Sequence, residues 1–86
     1  MQTELHYRLV EGRTTTFGYL AHYGDRQVFR MPKIGAVLQP QHPDLSGSYV
    51  IQAIDGPYTR DTLRTFMLDL EKIEHETESL VRSDSV

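Results

Sequence analysis

The stretch from Thr59 to Val81 contains neither glycine nor proline, and it constrains the possible folds more than any other part of the chain. Leu63, Phe66, Leu70, Ile73, Thr77 and Leu80 recur at alternating steps of three and four, the spacing of one helical face. Thr59 suits an N-cap, and Asp61 falls in the first turn, where a carboxylate meets the positive end of a helix. Glu78 precedes Arg82 by four residues, the favourable order for an ion pair near the far end. The pattern predicts a helix over residues 59–82 with a polar tail at 83–86.

The residues before it read as strands. From Glu4 to Val10 the chain alternates, with Leu5, Tyr7 and Leu9 on one side and His6, Arg8 and Val10 on the other. Residues 14–23 are rich in β-branched and aromatic side chains, and Gln27 to Met31 makes a third short run. Three-residue loops at both turns place Leu9 opposite Phe17, Tyr7 opposite Tyr19, and Leu5 opposite Ala21. One face then gathers the aromatic set, and the other gathers His6, Arg8, Leu20, His22, Val28 and Arg30. A slip of one residue would instead carry Phe17, Tyr19, Tyr7 and Phe29 to the open side.

Between Pro32 and Gly47 the periodicity fails, because Pro32, Pro40 and Pro43 remove backbone donors. Ile34, Val37 and Leu38 are apolar enough to tie down the first half of this long connection. Ser48 to Ile54 reads as a well-covered strand, ended by Asp55-Gly56-Pro57. The expected fold is therefore α+β in a single domain over residues 1–86. An antiparallel sheet of about four strands (β-β-β-loop-β) occupies 1–58, with one long C-terminal helix on its aromatic face. The alternative is a small SH3-like, partly closed barrel carrying the same helix, with Lys33 to Leu38 as a strand of its own.

A 22-residue helix extends about 33 Å, whereas a six-residue strand covers only about 20 Å. The far end of the helix would overhang the sheet and expose apolar side chains that a second copy could cover. The expectation is a homodimer through the C-terminal helix, with Phe66, Leu70, Ile73, Thr77, Leu80 and Val81 at the interface.

Composition narrows the function classes. The chain has 86 residues, no cysteine and a net charge of −3, so disulfides and thiolate metal sites are excluded. Met1 to Val10 carries Glu4, His6 and Arg8 rather than the apolar run of a secretion signal, and no stretch reaches the roughly 20 apolar residues of a membrane span. The expected location is cytoplasmic. Residues 1–43 are mildly basic (Arg8, Arg13, Arg26, Arg30 and Lys33 against Glu4, Glu11 and Asp25), whereas residues 69–86 are acidic. None of His6, His22, His42 and His75 has metal-ligand spacing, no serine lies in a nucleophile elbow, and Gly18 and Gly35 are isolated. The chain reads as non-enzymatic and without a cofactor. It is expected to be a small dimeric accessory or regulatory protein that binds another protein through His6, Arg8, Leu20, His22, Val28 and Arg30. Nucleic-acid binding on the same basic face is the alternative, weakened by the small basic excess and by aromatics assigned to the opposite side.

Overall fold

A computed structural model of the chain describes residues 1–73. They form one curled, mixed sheet of five strands and no helix. The strands are β1 (Gln2–Glu11), β2 (Thr14–Tyr23), β3 (Val37–Leu38), β4 (Ser48–Arg60) and β5 (Leu63–Ile73), in the spatial order β2-β1-β5-β4-β3. Strands β1 and β5 run parallel at the centre, and the other neighbours pair antiparallel. Among the described residues no helix is long and apolar enough to cross a membrane.

The expected α+β fold is thereby corrected, as is its SH3-like alternative with a terminal helix. Residues 59–73 are the end of β4, the turn that follows it and β5, all parts of one long β-hairpin. Asp61 and Thr62, placed in a first helical turn by the sequence pattern, are the two-residue loop between Arg60 and Leu63, with Asp61 at a φ of 56°. Leu63, Phe66 and Leu70 fit a helical face, but Phe66, Leu68 and Leu70 also alternate with Met67, Asp69 and Glu71, and this second period is the one realised. The strand turns Phe66, Leu68 and Leu70 into the core and the two carboxylates outward. Asp55-Gly56-Pro57 does not end β4. It is an irregularity within it, where pairing with β5 shifts between Asp55 and Tyr58, and where Pro57 owes the ladder no donor.

The homodimer through a C-terminal helix loses its basis with the helix. Phe66 and Leu70 are 3% and 4% exposed in the core of the single chain, and Ile73 pairs with Ser48 in the β4–β5 ladder. Thr77, Leu80 and Val81 lie outside the described residues.

The predicted third strand, Gln27 to Met31, belongs instead to the connection between β2 and β3. Those two strands are the opposite edges of the sheet, so the connection crosses its whole inner face. It carries the cover that the helix was expected to supply. Phe29 stacks on Phe66 with centroids 5.8 Å apart and meets Tyr23 edge-on at 5.2 Å. The Arg64 guanidinium lies 5.3 Å from the Phe29 centroid and donates a 2.7 Å hydrogen bond from Nε to buried Thr3. Farther along, Gly35 donates to the Ile51 carbonyl at 2.8 Å and Ile51 donates to Ala36 at 3.0 Å. His42 meets Tyr7 edge-on, and Leu45 is buried with Tyr49 and Ile51.

The β1–β2 hairpin sets the orientation of the outer surface. Its loop is two residues, Gly12-Arg13, and glycine at the first position suits this tight connection. One residue fewer than expected shifts the register by one, so Arg8 faces Phe17 and Tyr7 faces Gly18. Phe17 and Tyr19 consequently point outward, 62% and 45% exposed. A bulge at Leu20 then restores the pairing of Leu5 with Ala21 and turns Leu20, Ala21 and Tyr23 toward the core. Gly18 lies directly over the Tyr7 ring: a Cβ there would sit 2.6 Å from Cζ and 2.7 Å from the phenolic oxygen.

Two measurements follow from this packing. Gly18→Ala is expected to cost about 1–3 kcal/mol in chemical denaturation by overpacking, and to cost much less in a Tyr7→Leu background. Equal costs in the two backgrounds would show that the ring and the glycine are not in contact. Burial, followed by the nearby Asp44, pushes the Tyr7 phenol above its ordinary value of 10.0. The folded chain then holds this proton at pH values where the unfolded chain releases it. The stabilisation is complete below that value and declines as pH rises through and beyond it. Thermal melts between neutral and strongly alkaline pH are expected to show a steeper loss for the wild type than for Tyr7→Phe.

Candidate functional site: the outer sheet face

The inner face of the sheet is covered by the chain's own connection, with a cleft left beneath it, and the outer face carries a separate set of charged and aromatic side chains. Strand alternation places Glu4, His6, Arg8 and Val10 of β1 on it, together with Thr15, Phe17, Tyr19 and His22 of β2. Asp69 and Glu71 come from β5 through the parallel register that sets Arg8 beside Asp69.

Two charged groupings organise this face. Arg8 grips Asp69 with two parallel hydrogen bonds, Nε to Oδ1 at 2.7 Å and Nη2 to Oδ2 at 2.6 Å. The hydrogen bond to Asp69 raises the Arg8 pKa further, so the guanidinium stays charged. Nearer the start of β1, Glu4 lies between two histidines, with His6 Nε2 3.2 Å from Oε1 and His22 Nδ1 3.3 Å from Oε2. The hydrogen bond from His6 holds the Glu4 carboxyl below its ordinary value; His22 adds to the effect and partial burial opposes it. The His6 ring also meets Tyr19 edge-on at 5.6 Å. Among the described residues, no group of three or more such side chains is arranged to hold a metal ion.

Beside the Arg8–Asp69 pair the surface opens into a cleft of about 550 Å³, lined by Arg8, Val10, Thr15, Phe17, Asp69 and Glu71 among others. Its walls combine exposed apolar surface from Val10 and Phe17 with the charged pair at its floor. Gln52 borders it too, donating to Glu71. Within the cleft, the Asp69 carboxylate is committed to Arg8.

The residues expected to form one face are divided by the structure. His6, Arg8 and His22 do share the outer face. Leu20 is turned inward by the bulge, and Arg30 lies with it along a second cleft of about 330 Å³ under the proline-bearing connection. Val28 stands on that connection, 78% exposed. The outward positions of Phe17 and Tyr19, and the partners Glu4 and Asp69, were not placed on this face from sequence. Glu4 was accessible to simple alternation, two residues before His6. Asp69 required β5 to be seen as a strand, for which its alternation with Leu68 and Leu70 was the signal.

The Glu4 carboxyl provides a direct check on the geometry. Because its folded value is depressed, its stabilisation is present above the ordinary glutamate range and is lost as pH falls through the folded value. In an NMR titration Glu4 is expected to protonate at lower pH than an isolated glutamate, and to move back up when His6 and His22 are both replaced by alanine. No upward movement in that double variant would mean the histidines do not hold the carboxylate.

Comparison of the chain with protein-family models, with curated proteins and with solved structures finds no match, so the functional reading rests on the chain's own residues.

Proposed function

We propose that the chain is a non-enzymatic accessory protein that acts by binding another protein, and that the contact surface is the outer sheet face around Phe17. The observation that carries this reading is the company Phe17 keeps. It is exposed with Val10 and Tyr19 beside a cleft whose charged pair, Arg8 with Asp69, is already internally matched. Aromatic rings and arginine are enriched at protein–protein interface centres, where a satisfied ion pair adds orientation without demanding a charged partner. Burying Phe17 and Val10 against a partner recovers apolar area at about 25 cal/mol per Å², which favours association.

Single-stranded nucleic acid is the second reading, and the outward rings of Phe17 and Tyr19 speak for it, since bases stack on exposed aromatics. Charge decides against it. Phosphate tracking needs cations to spare, whereas here Arg8 is matched by Asp69, His6 and His22 share Glu4, and Glu71 adds a further negative group.

A photo-crosslinking side chain at position 17 separates the two. In cells of the source organism it is expected to give a discrete, nuclease-insensitive protein adduct whose mass differs from that of two crosslinked copies of the chain, absent when the crosslinker replaces Val28 and weakened by Arg8→Glu. Binding of a single-stranded oligonucleotide that falls with rising salt and is abolished by Phe17→Ser would overturn the protein reading in favour of the nucleic-acid one.

A further inference from the structure

Strand β2 is an edge of the sheet for ten residues, and among the described residues no backbone hydrogen bond joins it to anything except β1. A two-residue hairpin loop closes on a hydrogen-bonded pair, here Glu11 with Thr14. Alternation from that pair turns the N–H and C=O groups of Thr15, Phe17 and Tyr19 away from β1, toward the open side. Edge strands are ordinarily protected by lysine, proline, short length or a bulge. From Thr14 to Tyr19 β2 has none of these: it carries no charge and no proline, and its bulge lies beyond, at Leu20.

We infer that β2 pairs antiparallel with β2 of a second copy of the chain, across a two-fold axis near Phe17, to make one continuous ten-stranded sheet. Two features select a second copy over a foreign strand. First, the regular stretch Thr14–Tyr19 is self-complementary: with the axis at Phe17, Thr15 of one copy meets Tyr19 of the other and Thr16 meets Gly18. No like charges are opposed, and the two Phe17 rings face each other on the outer side. Second, an isologous contact uses one patch twice, so a single unprotected edge is enough to close the assembly and leave no open edge at the centre. This differs from a helix-mediated dimer in every contacting residue. It shares Phe17 with the docking reading but is tested apart from it, because it concerns the strand edge and requires only the purified chain.

Sedimentation equilibrium at tens of micromolar is expected to give twice the 9.9 kDa chain mass, with Thr15→Lys halving it. Hydrogen exchange supplies a measurement that does not depend on the variant folding. The Phe17 and Tyr19 amides are expected to exchange quickly in dilute protein and to slow as concentration rises, while exchange of the β4 amides stays constant. A single-chain mass at tens of micromolar overturns the inference. So does a dimer in which those two amides exchange at the same rate at every concentration. If the chain proves monomeric yet still crosslinks a partner through position 17, the edge pairing is wrong and the docking surface stands.

Discussion

The parallel ladder between β1 and β5, Gln2 to Leu9 against Leu63 to Leu70, is the constraint from which the rest of the architecture follows. A parallel pair cannot be closed by a tight turn, so the chain between the two strands must travel. Here it first builds β2 on one flank, then crosses the inner face to β3 at the opposite edge, and returns through β4 into β5. The segment between β2 and β4, with β3 inside it, brings Phe29, Ala36, Leu38 and Leu45 over the sheet, where they join the core of Leu5, Tyr7, Phe66 and Leu68. The long irregular connection, which its prolines mark as unable to form a central strand, is thus the second layer of the domain. A sheet this small needs such a layer, because one face of every strand is apolar and would otherwise remain wet.

The register of one hairpin determines what the outer face presents. With the Gly12-Arg13 loop, the first half of β2 has its large side chains outward, and the bulge at Leu20 reverses the phase for the second half. The reversal serves the core, since Leu20, Ala21 and Tyr23 are needed around Leu5 and Phe29. Tyr7 fills the space beneath the first half, where Gly18 has no side chain of its own. Phe17 and Tyr19 are therefore outward because the interior at their level is already occupied by Tyr7. That gives the exposed aromatic pair a packing cause.

Strands β1 and β2 were legible in the sequence to within about two residues, since both have period-two alternation bounded by a glycine turn. The C-terminal element was misread because Leu63, Phe66 and Leu70 satisfy helical and strand spacing together, and Asp55-Gly56-Pro57 resembles a stop. Leu68 discriminates: a helix would carry it to the side away from Phe66 and Leu70, whereas a strand puts all three on one face and leaves Asp69 and Glu71 on the other. Local pattern also could not fix the β2 register, because loops of two and three residues both fit Glu11-Gly12-Arg13. His6, Arg8 and His22 were placed together correctly because they depend on alternation alone. Leu20, Val28 and Arg30 were not, because their positions depend on a bulge and on a strand that does not form.

Charge gives the last link between topology and the outer surface. In sequence Arg8 and Asp69 are far apart, and the basic first half looks like a site for anions. Parallel pairing brings these two together, so that Arg8 lies beside Asp69 and is matched by it. Within β1 and β2, Glu4 draws in His6 and His22 in the same way. The large exposed side chains of this face are therefore apolar or aromatic, Val10, Phe17 and Tyr19, framed by polar groups already matched within the chain. Drawing either Arg8 or Asp69 away would leave the other uncompensated, so the parallel ladder that joins their strands also holds the charged part of this surface in place.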